Sequence, residues 1–130
     1  MERFTRTGTA IVIEPRADLA DSVCNLLRGF GYEAISAPTH AEAAARARQV
    51  AMVDLLAATV PAPDESRSGI YLKEALEKNP QMAIVLMLSD HLEKPEGEPP
   101  QAAKIVKPFG RETLAAAILL SEKKVLEHAS

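Results

Sequence analysis

The sequence predicts an α/β domain built on a five-stranded parallel sheet, doubly wound, with helices on both faces. Short apolar runs alternate with segments of helical period along the chain. Such alternating βα units are joined by right-handed crossovers, which set the strands parallel. The runs Thr9–Ile13 and Ala83–Leu88 are continuously apolar rather than alternating, as strands covered on both faces must be. The 130 residues, 47% of them hydrophobic, are enough for one core and suit one domain over 1–130, with its core at about 9–123.

Each element has its own signal. Thr9-Ala-Ile-Val-Ile13 is short and β-branched, a first strand. Leu19, Val23, Leu26 and Leu27 recur at helical spacing, and Gly29 to Gly31 ends that helix. Asp18 near its start suits an N-cap or the positive end of the helix dipole. Tyr32 to Ala37 reads as a second strand and Pro38-Thr39 as a turn. Ala41 to Arg48 is rich in good helix formers, and its nearly all-alanine apolar face predicts close packing on the sheet. Val50 to Leu56 reads as the third strand, with its end open. Pro61, Pro63 and Asp64 mark a long loop. Ile70, Leu72, Ala75 and Leu76 form a helix stopped by Asn79-Pro80, and Ala83 to Leu88 is the fourth strand. Asp90 to Gln101 holds three prolines and four acids, so no long helix runs through it. Ala103 to Val106 is the fifth strand. A last helix follows Gly110, with Leu114, Ile118 and Val125 on one face, and frays near His128.

Composition excludes several classes. Net charge is -3, with basic residues scattered among acids, whereas a nucleic-acid surface needs a concentrated basic face. No run approaches the ~20 apolar residues of a membrane span, and Met1 to Thr9 lacks the apolar core of a leader peptide. The single cysteine, Cys24, rules out an internal disulfide and points to a reducing, cytoplasmic setting.

In open parallel sheets, function gathers at the carboxyl ends of the strands. That edge is predicted to carry Glu14, Asp54 or residues just after it, Ser89 and Lys107. Each is a polar residue closing an apolar run. Lys107-Pro108-Phe109 before a helix, Gly31-Tyr32 before the second strand, Ile84-Val-Leu-Met-Leu-Ser89, and Gly69-Ile-Tyr-Leu-Lys-Glu-Ala-Leu76 stand here in one order and spacing. Together they resemble the receiver domains of bacterial two-component signalling, of the chemotaxis-regulator type. The resemblance covers roughly Thr9 to Lys123 and implies a flavodoxin-like strand order 2-1-3-4-5.

The resemblance also implies a chemistry. An aspartate at the end of the third strand takes a phosphoryl group from a histidine kinase or phosphotransferase. Mg²⁺ and a lysine balance the oxygen charges. A Ser/Thr then binds the new phosphate and biases a surface read by a downstream protein. By that correspondence Asp54 is the phosphoacceptor, Glu14 the acidic-pocket residue, Ser89 the switch hydroxyl and Lys107 the phosphate-binding lysine. Any metal would be held by Glu14 and Asp54.

This chain departs from the pattern at two places. The usual acid pair is Glu14-Pro15, and a proline side chain cannot ligate, so Mg²⁺ binding is expected to be weakened. The acceptor has two alignments. A strand over Val50–Val53 makes Asp54 the acceptor and keeps its charge out of the sheet. A strand over Val53–Leu56 puts the acceptor position on Ala57, where no phosphorylation is possible. The degraded fourth helix, over Asp90 to Gln101, removes part of the family's usual output face.

Three functions compete. The first is a receiver signalling by protein contact, phosphorylated on Asp54. The second is a phosphorylation-independent pseudo-receiver that docks partners. The third, a flavodoxin-like small-ligand protein, would want a Gly- or Ser/Thr-rich phosphate cradle after the first strand, where Glu14-Pro-Arg-Ala-Asp18 is acidic and bulky instead. His40, His91 and His128 fall in loops or a tail and suit no phosphotransfer helix. The two receiver readings imply no enzyme beyond self-phosphorylation, and a homodimer through the last helix and fifth strand is compatible with each of the three.

Overall fold

The computed structural model of the chain describes residues 4–60, 76–89 and 99–128. In chain order these give β1 (Thr9–Ile13), α1 (Ala17–Phe30), β2 (Glu33–Ala37), α2 (His40–Ala47), β3 (Leu55–Thr59), β4 (Ala83–Leu88), β5 (Ala102–Val106) and α3 (Arg111–His128). Residues 76–78 are also helical. The five strands are parallel in the order β2-β1-β3-β4-β5, the architecture and order expected from the sequence. The rest of the expected helix over Ile70–Leu76, the long loop beyond Val60, and most of the Pro/Glu segment that replaces the fourth helix lie outside the described residues.

Because side chains alternate across a strand, the sheet has two distinct faces. One carries Ala10, Val12, Leu55, Ala57, Val85 and Ile105, packed against Val23, Leu27 and Phe30 of α1 and Leu114 and Ile118 of α3. Ile11, Ile13, Leu56, Ala58, Ile84 and Leu86 face the other way, toward Ala43 of α2. All residues of β3 and β4 are buried, which is why those two runs show no polar alternation.

The caps follow from local chemistry. The Thr39 hydroxyl accepts the Glu42 amide at 3.1 Å and starts α2. Gly31 closes α1 at φ 119°, where a Cβ would lie 1.9 Å from the Arg6 carbonyl oxygen; only glycine suits that left-handed cap. Asp18 sits in the first turn of α1 without capping it, so its contribution is to the helix dipole.

The third strand begins later than the sequence suggested. It runs Leu55–Thr59 rather than Val50–Leu56, and pairs Ala10 with Leu55 through Ile13 with Ala58. Two side-chain bonds fix the chain just before β3, where the Asp54 main chain also bonds the Thr9 carbonyl and the Ala83 amide. The Val53 amide donates to Asn79 Oδ1 at 2.9 Å. The Asp54 carboxylate accepts the Thr9 amide at 2.8 Å, at the amino end of β1.

On the α1/α3 face, Ser121 of α3 joins β4 to the turn that precedes β5. Its hydroxyl accepts the Ile84 amide and donates to the Gln101 carbonyl, each at 2.7 Å, and the residue is fully buried. Ser121→Ala leaves a buried N–H and a buried C=O unmet, so stability should fall by about 2–4 kcal/mol in urea unfolding. A loss under ~0.5 kcal/mol, as at an ordinary surface position, would show that those groups find other partners.

Candidate functional site

The site forms at the carboxyl edge of the sheet, at the end of β3 and one step past the ends of β1 and β5. Ile13 pairs with Ala58, so Glu14 emerges beside Thr59. Lys107 follows β5, with its amide donating to the Leu88 carbonyl at 2.8 Å. The Lys107–Pro108 peptide bond is cis.

Three side chains meet there. Lys107 Nζ lies 3.0 Å from Glu14 Oε2 and 3.5 Å from Thr59 Oγ1. The Thr59 hydroxyl donates to the same Oε2. Glu14 Oε1 receives the Arg16 amide at 3.4 Å. The Glu14 side chain is only 1% exposed and that of Lys107 15%. A buried carboxylate is tolerable only when paired and hydrogen-bonded, and Glu14 is both. One carboxylate and one ammonium leave the cluster electrically neutral.

A fourth side chain touches its edge. His40 is the first residue of α2 rather than a loop residue, and it is buried. Its Nε2 lies 3.5 Å from the Thr59 carbonyl oxygen.

The sequence-predicted residues therefore separate. Glu14 and Lys107 come together as expected. Ser89 closes β4 at the same edge and is exposed. Asp54 does not join them: it precedes β3 at the opposite, amino end of the sheet, where it binds the Thr9 backbone. Ala57, the alternative acceptor position, lies inside β3 between Val12 and Val85. The residue that ends β3 beside Glu14 and Lys107 is Thr59, which the sequence reading missed. Its signal was the same one that marked Glu14 and Ser89, a polar residue closing the apolar run Leu55-Leu-Ala-Ala. Arg16 faces solvent beside Asp18, so only its amide contributes.

The donor set bears on the metal. Mg²⁺ seeks carboxylates that are free to turn toward it. Among the described residues no group of three or more His, Cys, Asp or Glu side chains converges. The one carboxylate of the described residues at this edge is paired with Lys107. Among the described residues, Glu14 is therefore the one side chain at this edge that could offer the ion a carboxylate, and it would have to leave Lys107 to do so.

No family model matches the sequence, and no curated protein matches it. Solved structures do. A response regulator receiver protein from Sinorhizobium medicae is similar at 20% identity, over 92% of this chain and 97% of that one, with a TM-score of 0.75. A receiver domain protein from Clostridium thermocellum gives 21% identity, coverage of 92% and 98%, and a TM-score of 0.71. The chemotaxis protein CheY4 of Vibrio cholerae gives 20%, 88% and 98%, and 0.72.

The chain has the response-regulator receiver fold.

Within that receiver fold the edge holding Glu14, Thr59 and Lys107 is where the sequence reading placed the phosphorylation chemistry. The position at the end of the third strand is filled by a hydroxyl. Among the described residues no helix is long and apolar enough to cross a membrane.

Proposed function

We propose that this receiver domain is a signalling module that works through protein–protein contacts without taking phosphate on an aspartate. The observation that supports this most is Thr59 at the carboxyl end of β3, between Glu14 and Lys107, with Asp54 at the far end of the sheet. A threonine hydroxyl is a weak nucleophile without an adjacent base. Here the one neighbouring carboxylate among the described residues is tied to Lys107.

Charge supports the same reading. A site that transfers phosphoryl groups holds excess negative charge that a metal and a lysine offset. Among the described residues, the Glu14–Lys107 pair at this edge has none to offset. Lys107 and Glu14 act instead as an internal clamp between β1 and β5, keeping the edge in one state. In this reading Mg²⁺ has no role, Ser89 has no phosphate to bind, and Asp54 is a structural cap. A histidine kinase, a phosphotransferase or another signalling protein would be a docking partner rather than a phosphodonor. The chain turns over no substrate.

The test is incubation with acetyl phosphate and Mg²⁺, read by intact mass. Wild type should show no phosphoryl adduct under conditions that modify a receiver with an aspartate acceptor. An adduct that disappears in Asp54→Ala would overturn the reading.

A further inference from the structure

We propose that the hollow between α2 and the sheet is a binding site for a small aromatic molecule, of about the size of benzene or indole. The all-alanine face of α2, expected to pack close, does not fill the space above the strands. Ala43, Ala44 and Ala47 stand across from Ile11, Ile13 and Leu56 around a cavity of about 200 Å³. A methyl group on the helix is too short to close that distance.

The size decides what the space can do. An apolar cavity of about 150 Å³ is large enough to admit benzene, and this hollow is larger and opens to solvent on one side. An unfilled cavity forfeits dispersion contacts on one side of every lining group, and a flat apolar ligand restores them without disturbing the backbone. Apolar walls in ligand pockets usually carry a few polar groups that set orientation; here these are buried His40 within, and Arg48, Glu77, Lys78 and Asn79 around it. His40 also reaches the Thr59 carbonyl, at 3.5 Å from Nε2. The pocket and the Glu14–Thr59–Lys107 cluster thus share one side chain as a wall. The inference does not depend on whether the domain is phosphorylated.

The test is ligand-observed saturation-transfer NMR on the full chain, with benzene and indole as probes. Wild type should give transfer to at least one probe. Ala44→Leu, which fills the cavity, should weaken binding at least tenfold, a change of about 1.4 kcal/mol. Ala45→Leu, on the exposed side of α2, should bind like wild type. Absence of transfer to either probe in folded wild type would overturn the proposal. So would unchanged binding in Ala44→Leu, which would place the probes elsewhere. If Ala44→Leu does not fold, Ala47→Leu asks the same question; failure of both to fold shows that the space is not there and also overturns it.

Discussion

Replacing Lys107 with methionine lowers the stability of the domain by about 3–5 kcal/mol, the loss expected when one partner of a buried ion pair is removed. Methionine keeps much of the length of the side chain and removes the ammonium. Glu14, 1% exposed at its side chain, is then left with the Thr59 hydroxyl and the Arg16 amide as donors. Neither neutralises its charge. The double variant Glu14→Gln/Lys107→Met should recover most of the loss, because removing both charges of a buried pair is often close to neutral. Urea unfolding of the two single variants and the double variant gives the coupling. A loss below ~1 kcal/mol for Lys107→Met, the range of exposed pairs, would show that the cluster is open to water rather than closed.

The second large effect comes from putting back what this edge lacks. Thr59→Asp places a second carboxylate where the hydroxyl now donates to Glu14 Oε2. Two like charges ~4 Å apart repel by about 4 kcal/mol at an effective dielectric of ~20, and a single lysine cannot offset both. In metal-free buffer the variant should therefore lose about 3–4 kcal/mol. Divalent cation should restore part of it. Binding to the folded state alone adds about 2.7 kcal/mol at a free metal concentration ~100 times the dissociation constant. Wild type, with its one carboxylate neutralised, should melt at the same temperature with and without Mg²⁺. A Thr59→Asp variant as stable as wild type without metal would contradict the placement of Thr59 against Glu14.

Most of the architecture was legible in the sequence, for physical reasons that differ by element. β1 and β4 are unbroken apolar runs, and central parallel strands leave no other option. α1 shows its period and its glycine stop; α3 shows Leu114 and Ile118 one turn apart, both fully buried. Glu14 and Lys107 were found because a charged residue ending an apolar strand must project at the sheet edge.

The third strand was not legible. Val50-Ala-Met-Val53 and Leu55-Leu-Ala-Ala are both short apolar runs, separated by Asp54. A strand over the first run keeps the Asp54 charge out of the sheet, which favours it on local grounds. Burial between β1 and β4 decides for the second. Those partners lie 40 or more residues away from β1 and about 28 from β4 in the register pairs Ala10 with Leu55 and Leu55 with Ala83, beyond any local pattern. The Asp54 carboxylate does escape the interior of the sheet, but at the strand's amino end, where it accepts the Thr9 amide. With the strand displaced, Thr59 was displaced too. His40 carried no signal at all, since one polar residue before an alanine-rich helix looks like a turn.

The most direct test of a phosphate-independent edge is the intact mass of wild type, Asp54→Ala and Pro15→Asp/Thr59→Asp after incubation with acetyl phosphate and Mg²⁺. The account predicts an adduct only in the double variant, where both the acceptor carboxylate and a second acid for the metal have been supplied. An adduct on wild type that Asp54→Ala removes would contradict it and return the acceptor role to Asp54.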